Sequence, residues 1–270
     1  MRSLALAFTY ALVCFTYGPV CASVVAPDDA AVSAAPVPFP YDAWSALLAK
    51  YVDDRGRVDY AALKANAADL RSFDRVFAAV AASSPKRAPS KYPTRAAREA
   101  YYLDAYNVLV WKNVLDRIPT LKNVYSVNDS FFKQTQFKIG GESFNLTDLE
   151  SKVIRPEFHD PRVHMALNCA SGGCPQLPRE AFFPSRIDAQ LDREARRFVN
   201  EKRNVDFDPA KKLVRLSHIF DWYKDDFGTT PNKVLDWINH YRDVNAQIPN
   251  DAKIEYLDYD WTLNDRALKR

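Results

Sequence analysis

Glycine is scarce. Seven occur in 270 residues, and none falls in a G-x-G-x-x-G or G-x-x-x-x-G-K pattern, so a glycine-rich phosphate cradle is excluded. An excess of one charge is also missing. The 37 Lys and Arg nearly balance the 34 Asp and Glu, which gives no reason to expect nucleic acid or anionic lipid as a partner. The pairs Lys86-Arg87 and Lys211-Lys212 are short and read as solvated surface. Cysteine is limited to four residues with no C-x-x-C pair. No second long apolar run follows Asp28, and no internal repeat is visible. What remains is ordinary globular composition, 47% apolar and 13% aromatic, with material for a sizeable core.

The first 22 residues have the layout of a signal peptide. Arg2 is the positive n-region, Leu4 to Val20 is apolar, and Val20-Cys21-Ala22 is a small-residue cleavage site, with cleavage expected after Ala22. The run breaks at Gly18-Pro19 and is short for a membrane span. Processing removes Cys14, Cys21 and Arg2, so Cys169 and Cys174 remain and the formal charge of +3 drops by one. The expected product is secreted or periplasmic, with no stable membrane insertion after cleavage. Residues 23–40, rich in Ala, Val and Pro, read as a disordered linker, and 41–270 as one globular domain.

Trp44, Leu47, Leu48 and Tyr51 recur at helical spacing, and a second helical pattern runs from Tyr60 to Val80. Thr94 or Arg95 opens a long helix to about Arg117, stopped by Ile118-Pro119. Phe137 to Phe144 alternates around Gly140-Gly141, a β-hairpin, and Asn145 caps a helix through Ile154. Val163 to Asn168 is a strand candidate, Ile187 to Val199 a helix, and Val205–Phe207 with Leu213–Leu216 another hairpin. Helices over His218–Phe227 and Pro231–Tyr241 and a strand over Ile254–Trp261 complete the chain. Helices interleaved with hairpins predict an α+β fold: a helical N-terminal half packed on a small, mostly antiparallel sheet.

Chemistry is concentrated between His164 and Pro175. In a strand, His164 and Asn168 would project from one face. The turn from Cys169 to Cys174, with Ser171, Gly172 and Gly173, would let backbone amides approach a ligand or an oxyanion. The cysteines allow exclusive readings. One is a disulfide, expected in an oxidising compartment. Another is a thiolate activated by His164 for attack on an acyl carbon. A zinc site would have two Cys and one His but no identified fourth ligand. Asn107 sits in the apolar stripe Leu103, Val110, Trp111, Val114 and is either a buried clamp or an amide that orients His164. Glu150 would hold the His ring or pair with Arg155 or Arg162. Asp225 and Asp226 read as a solvated helix end.

Asp160-Pro161-Arg162-Val163-His164, followed by Asn168-Cys169 and Cys174-Pro175-Gln176-Leu177, resembles the signature of the domain of unknown function 547 family. Ala105-Tyr106-Asn107, Ile139-Gly140-Gly141 with Asp148-Leu149-Glu150, and Ile219 to Phe227 are similar to the same family. The flanks Gly56–Tyr60 and Tyr259–Asn264 resemble its exported bacterial members. The resemblance covers roughly Tyr41 to Asn264, with a family core at about 95–228. It departs at Asp104 and Gln176, neither of which touches the His and Cys positions. It implies fold and site location. A distant likeness to papain-like and transglutaminase-like folds has the Cys-then-His order reversed.

The expected site joins His164, Cys169, Cys174, Asn107 and Glu150 as catalytic candidates with Asn168, Ser171, Gly172 and Gly173 as binding residues. Two functions follow. One is thiol-dependent acyl transfer or amide hydrolysis, by a cysteine-dependent hydrolase or acyltransferase. The alternative is a non-catalytic module for a small molecule or peptide, with a Cys169–Cys174 disulfide shaping the binding loop. No cofactor and no metal enter either reading.

Overall fold

Helix α4 (Arg95–Leu115) is the axis of the fold, with 17 of its 21 residues buried. Thr94 caps it, its Oγ1 accepting from Ala97 N–H at 3.0 Å. The computed structural model describes residues 38–268. The expected signal peptide and most of the expected linker lie outside them. The linker's end does not: Phe39 is buried against Tyr41 and Tyr101.

Three helices pack on α4. They are α1 (Tyr41–Tyr51), α2 (Tyr60–Ala65) and α3 (Ala67–Ala82). Their contact centres on Trp111, whose ring meets Trp44, Tyr60 and Phe73 at 4.8, 5.8 and 6.2 Å. The single helix expected from Tyr60 to Val80 is two. Asn66 leaves helical geometry and its Oδ1 accepts from Ala68 and Asp69 N–H, so it starts α3 as an N-cap.

The hairpin β1 (Phe137–Ile139) and β2 (Glu142–Phe144) turns at Gly140 and Gly141, both at positive φ. Then come α5 (Leu146–Asp148), a wide π-helical turn (Leu149–Ile154) and α6 (Arg155–Phe158). Pro156, lacking an N–H, follows the widened turn. The strand expected at Val163–Asn168 is instead a 3₁₀ turn, Pro161–Met165. Asp160 Oδ1 accepts from Arg162 N–H, and Pro161 occupies the first helical position, a combination that opens a helical turn.

A second, smaller core surrounds the sheet β3 (Val205–Asp208), β4 (Leu213–Ser217) and β5 (Lys253–Leu257). β3 and β4 form the expected antiparallel hairpin, while β5 joins β4 in parallel and is shorter than the alternation predicts. Helix α7 (Ile187–Asn200) links the two cores: Ile187 and Leu191 lie in the first, Ala195, Phe198 and Val199 in the second. The helix expected over His218–Phe227 is broken at Tyr223 into α8 (Ile219–Trp222) and α9 (Lys224–Phe227), and α10 (Pro231–Tyr241) follows. The architecture is α+β with small, mostly antiparallel sheets, as expected.

The C-terminal segment then returns as a ribbon between two loops. Val124 N–H donates to Trp261 O and Leu263 N–H to Lys122 O on one side. Gly172 N–H donates to Thr262 O and Asn264 N–H to Ala170 O on the other.

Candidate functional site

His164 lies on the seam between the cores: its neighbour Val163 belongs to the first and Met165 to the second. Its ring is 3% exposed, stacked on Tyr223 at 4.0 Å and tilted against Phe227 at 5.4 Å. Nε2 donates to Asp226 Oδ2 at 2.7 Å. Nδ1 faces Glu150, whose Oε1 is 3.9 Å away. Asp226 also accepts from Arg155 Nε and Nη2 at 2.6 and 3.0 Å. Burial disfavours its charge, but the bonds from His164 and Arg155 outweigh that and hold the carboxyl well below the usual range. Burial and the nearby Glu150 carboxylate raise the Tyr223 phenol.

These groups line a cavity of about 470 Å³. Glu150, Arg155, His164, Cys169 and Cys174 contribute to its wall, with Tyr106, Tyr223, Tyr259, Trp222 and Trp261 supplying ring surface. The sulfurs of Cys169 and Cys174 are within disulfide distance, with Cα atoms 6.3 Å apart. Ser171 Oγ stands 3.1 and 3.3 Å from the two sulfurs and 3.0 Å from Tyr259 OH. No hydrogen bond among the described residues joins His164 to either sulfur. They share only the cavity.

The expected single pocket is divided. Asn168, Ser171 and Gly172 line a second cavity, of about 420 Å³, on the other side of the loop, and Cys174 and Pro175 belong to both. His164 and Asn168 do not share a strand face, because there is no strand. Asn168 instead ties the loop: Nδ2 donates to Pro175 O, and Oδ1 accepts from Ala170 N–H and Asn264 Nδ2. Asn107 lines neither cavity. Its Nδ2 donates to Ala166 O at 3.0 Å and its Oδ1 accepts from Asn168 N–H at 2.9 Å. One side chain thus satisfies two backbone groups of the segment that carries His164.

The glycine amides are engaged. Gly172 and Gly173 N–H donate to Thr262 O and Asp260 O at 2.7 Å, so neither points at a ligand as an oxyanion donor. Gly173 is glycine for a different reason: a Cβ there would meet the Tyr259 ring at 2.8 Å.

Asp226, Arg155, Tyr223 and the Trp222–Trp261 rings were not among the expected site residues. Asp226 is not a solvated helix end. The spacing Tyr223, Asp226, Phe227, at i, i+3 and i+4, would place an acid between two rings on one helical face and was the available signal. Among the described residues no group of three or more His, Cys, Asp or Glu gathers as metal ligands, and no helix is long and apolar enough to cross a membrane.

Residues 89–199 match the model of a protein family of unknown function, DUF547. This segment is a DUF547 domain. The DUF547 match contains the Asn107 clamp, Glu150, Arg155, His164 and both loop cysteines, whereas Asp226, Trp222 and the C-terminal ribbon lie beyond it. No curated protein and no solved structure matches the chain.

Proposed function

We propose that the chain is an exported binding module in which a Cys169–Cys174 disulfide braces the loop between two cavities, the larger of which takes the ligand. The observation that carries this reading is the state of the loop. Its two sulfurs face each other at bonding distance, and its two glycine amides are engaged by the C-terminal ribbon. A nucleophile and oxyanion donors, the parts an acyl-transfer enzyme needs, are both occupied elsewhere. The apolar run Leu4–Val20 with Val20-Cys21-Ala22 supports export, and an oxidising compartment favours the bond.

One observation favours a second reading, a cysteine-dependent hydrolase or acyltransferase in the reduced form. The Asp226–His164 pair has the layout of an oriented base and borders the cavity that the sulfurs line. There the thiol proton would pass to His164 Nδ1, the sulfur would bond to the acyl carbon, and the amine or alcohol would leave with that proton.

Thiol titration of the mature protein without reductant separates the two. Zero free thiols, with a mass two hydrogens below the reduced form, is expected. The binding reading is overturned if one cysteine reacts with iodoacetamide at pH 7 faster than a thiol of pKa about 8.5 would and loses that advantage in His164→Ala.

A further inference from the structure

Four large hydrophobic side chains are markedly exposed among the described residues, and three of them lie on one run of rings: Tyr125 (61%), Trp222 (45%) and Tyr256 (39%). The run passes from Tyr125 to Trp261, Trp222, His218 and Tyr256, with successive centroids 5.3, 5.6, 5.6 and 5.6 Å apart. Its first three rings form part of the wall of the large cavity. Exposed aromatic surface gathered in one place and continuous with a cavity marks a binding site rather than incidental exposure.

The ring angles select the ligand. Successive planes differ by 43°, 29°, 38° and 41°, so the rings form a stepped ramp with no perpendicular step between successive members. Tyr259, which also lines the cavity, is tilted 54° and 57° against Trp222 and Trp261 at 4.8 and 4.6 Å, short of the perpendicular walls of a cage that wraps a quaternary ammonium. A ramp longer than any single ring suits a chain of flat units, each laying a C–H face on an aromatic face. The cavity wall at the end of the ramp offers Asn128, Thr147, Glu150, Ser151 and Lys133. These mix donors and acceptors, and the cations of the wall are already paired, Lys133 with Asp129 and Arg155 with Asp226. Such a set fits a neutral ligand with many hydroxyls. A proline-rich peptide also docks on aromatic grooves, but its edges offer carbonyl acceptors and add no donor to the Glu150 carboxylate beyond the Tyr223 hydroxyl.

The ramp is held in advance of binding. Trp261 O accepts from Val124 N–H at 2.9 Å, which fixes Trp261 beside Tyr125. His218 Nδ1 donates to Leu257 O at 2.5 Å, which pins the ring between Trp222 and Tyr256. Rings that need no ordering on binding lose little entropy.

We propose that the ramp Tyr125–Trp261–Trp222–His218–Tyr256 binds a neutral oligosaccharide chain and leads its end to Glu150 in the large cavity. The proposal rests on the binding-module reading and names its ligand class. The test is a tryptophan-fluorescence titration of the full mature chain with chitohexaose, cellohexaose, xylohexaose and maltohexaose, with decaproline alongside. At least one hexasaccharide is expected to shift the emission, and its disaccharide to bind about tenfold more weakly. Trp222→Ala and Tyr125→Ala should each weaken binding about tenfold with melting curves unchanged, and Trp222→Phe should retain most of it. Failure of all four hexasaccharides, decaproline binding in their place, or indifference to the ring substitutions overturns the proposal. Any of these with zero free thiols leaves the binding module standing. A fast, His164-dependent thiol removes that reading whatever the saccharides do.

Discussion

Asp226 accepts the Nε2 proton of His164 at 2.7 Å across 62 residues of chain. The same carboxylate takes both Arg155 Nε and Nη2, so one anion on α9 ties the 3₁₀ turn to α6. The imidazole ring is thereby held with Nε2 on Asp226 and Nδ1 toward Glu150.

Asp226→Asn tests this tie. It leaves the Arg155 charge without its partner, and stability at pH 7 should fall by about 1–2 kcal/mol, discounted for partial exposure. Because the folded carboxyl is held below its unfolded value, its contribution is present above about pH 4 and is lost as pH falls through the folded value. Urea unfolding from pH 7 to pH 2 should therefore show the gap between wild type and variant closing below about pH 4. A gap independent of pH would refute the assignment.

The Asn107 clamp is tested by Asn107→Leu. The substitution keeps the branched shape of the side chain, removes both polar atoms, and strands Ala166 O and Asn168 N–H in the core. A loss of about 1–3 kcal/mol, read from thermal or urea unfolding, is expected. An unchanged curve would mean that these backbone groups find other partners.

Glu99 predicts the opposite pH dependence. It is fully buried in α4 with Oε1 unpartnered and Oε2 accepting from Arg95 Nη1 at 2.9 Å. Burial pushes its carboxyl up to about 7 despite Arg95. The unfolded chain releases this proton near its ordinary value of 4.5, so between there and about pH 7 the folded state holds a proton that the unfolded state has lost. Stability then declines as pH rises through that window and levels off above it, by about 1–3 kcal/mol. Glu99→Gln should flatten the decline when unfolding is compared at pH 5 and pH 8. Parallel profiles would show that the carboxyl titrates normally.

The long helix, the two hairpins and α10 were legible because their signals are local. Thr94 as cap, Gly140-Gly141 at a turn, and Pro231 at a helix start act within one or two turns of chain. Where the sequence reading failed, a local choice had two solutions. The run Val163–Asn168 has strand composition, but Asp160 and Pro161 open a helical turn just before it, and no neighbouring strand was there to pair with it.

The sequence by itself determined the family resemblance and the α+β pattern of elements, since residue type and short-range periodicity are properties of the chain alone. Tertiary structure alone decided how the candidates are divided. It turned Asn107 from the site to the backbone of the His164 segment, brought Asp226 to His164, and set the ribbon from Asp260 to Asn264 on the amides of Gly172 and Gly173. Those partners lie tens of residues away in sequence. A hydrogen bond's geometry depends on distances of a few tenths of an ångström, which nothing short of the packed fold can fix.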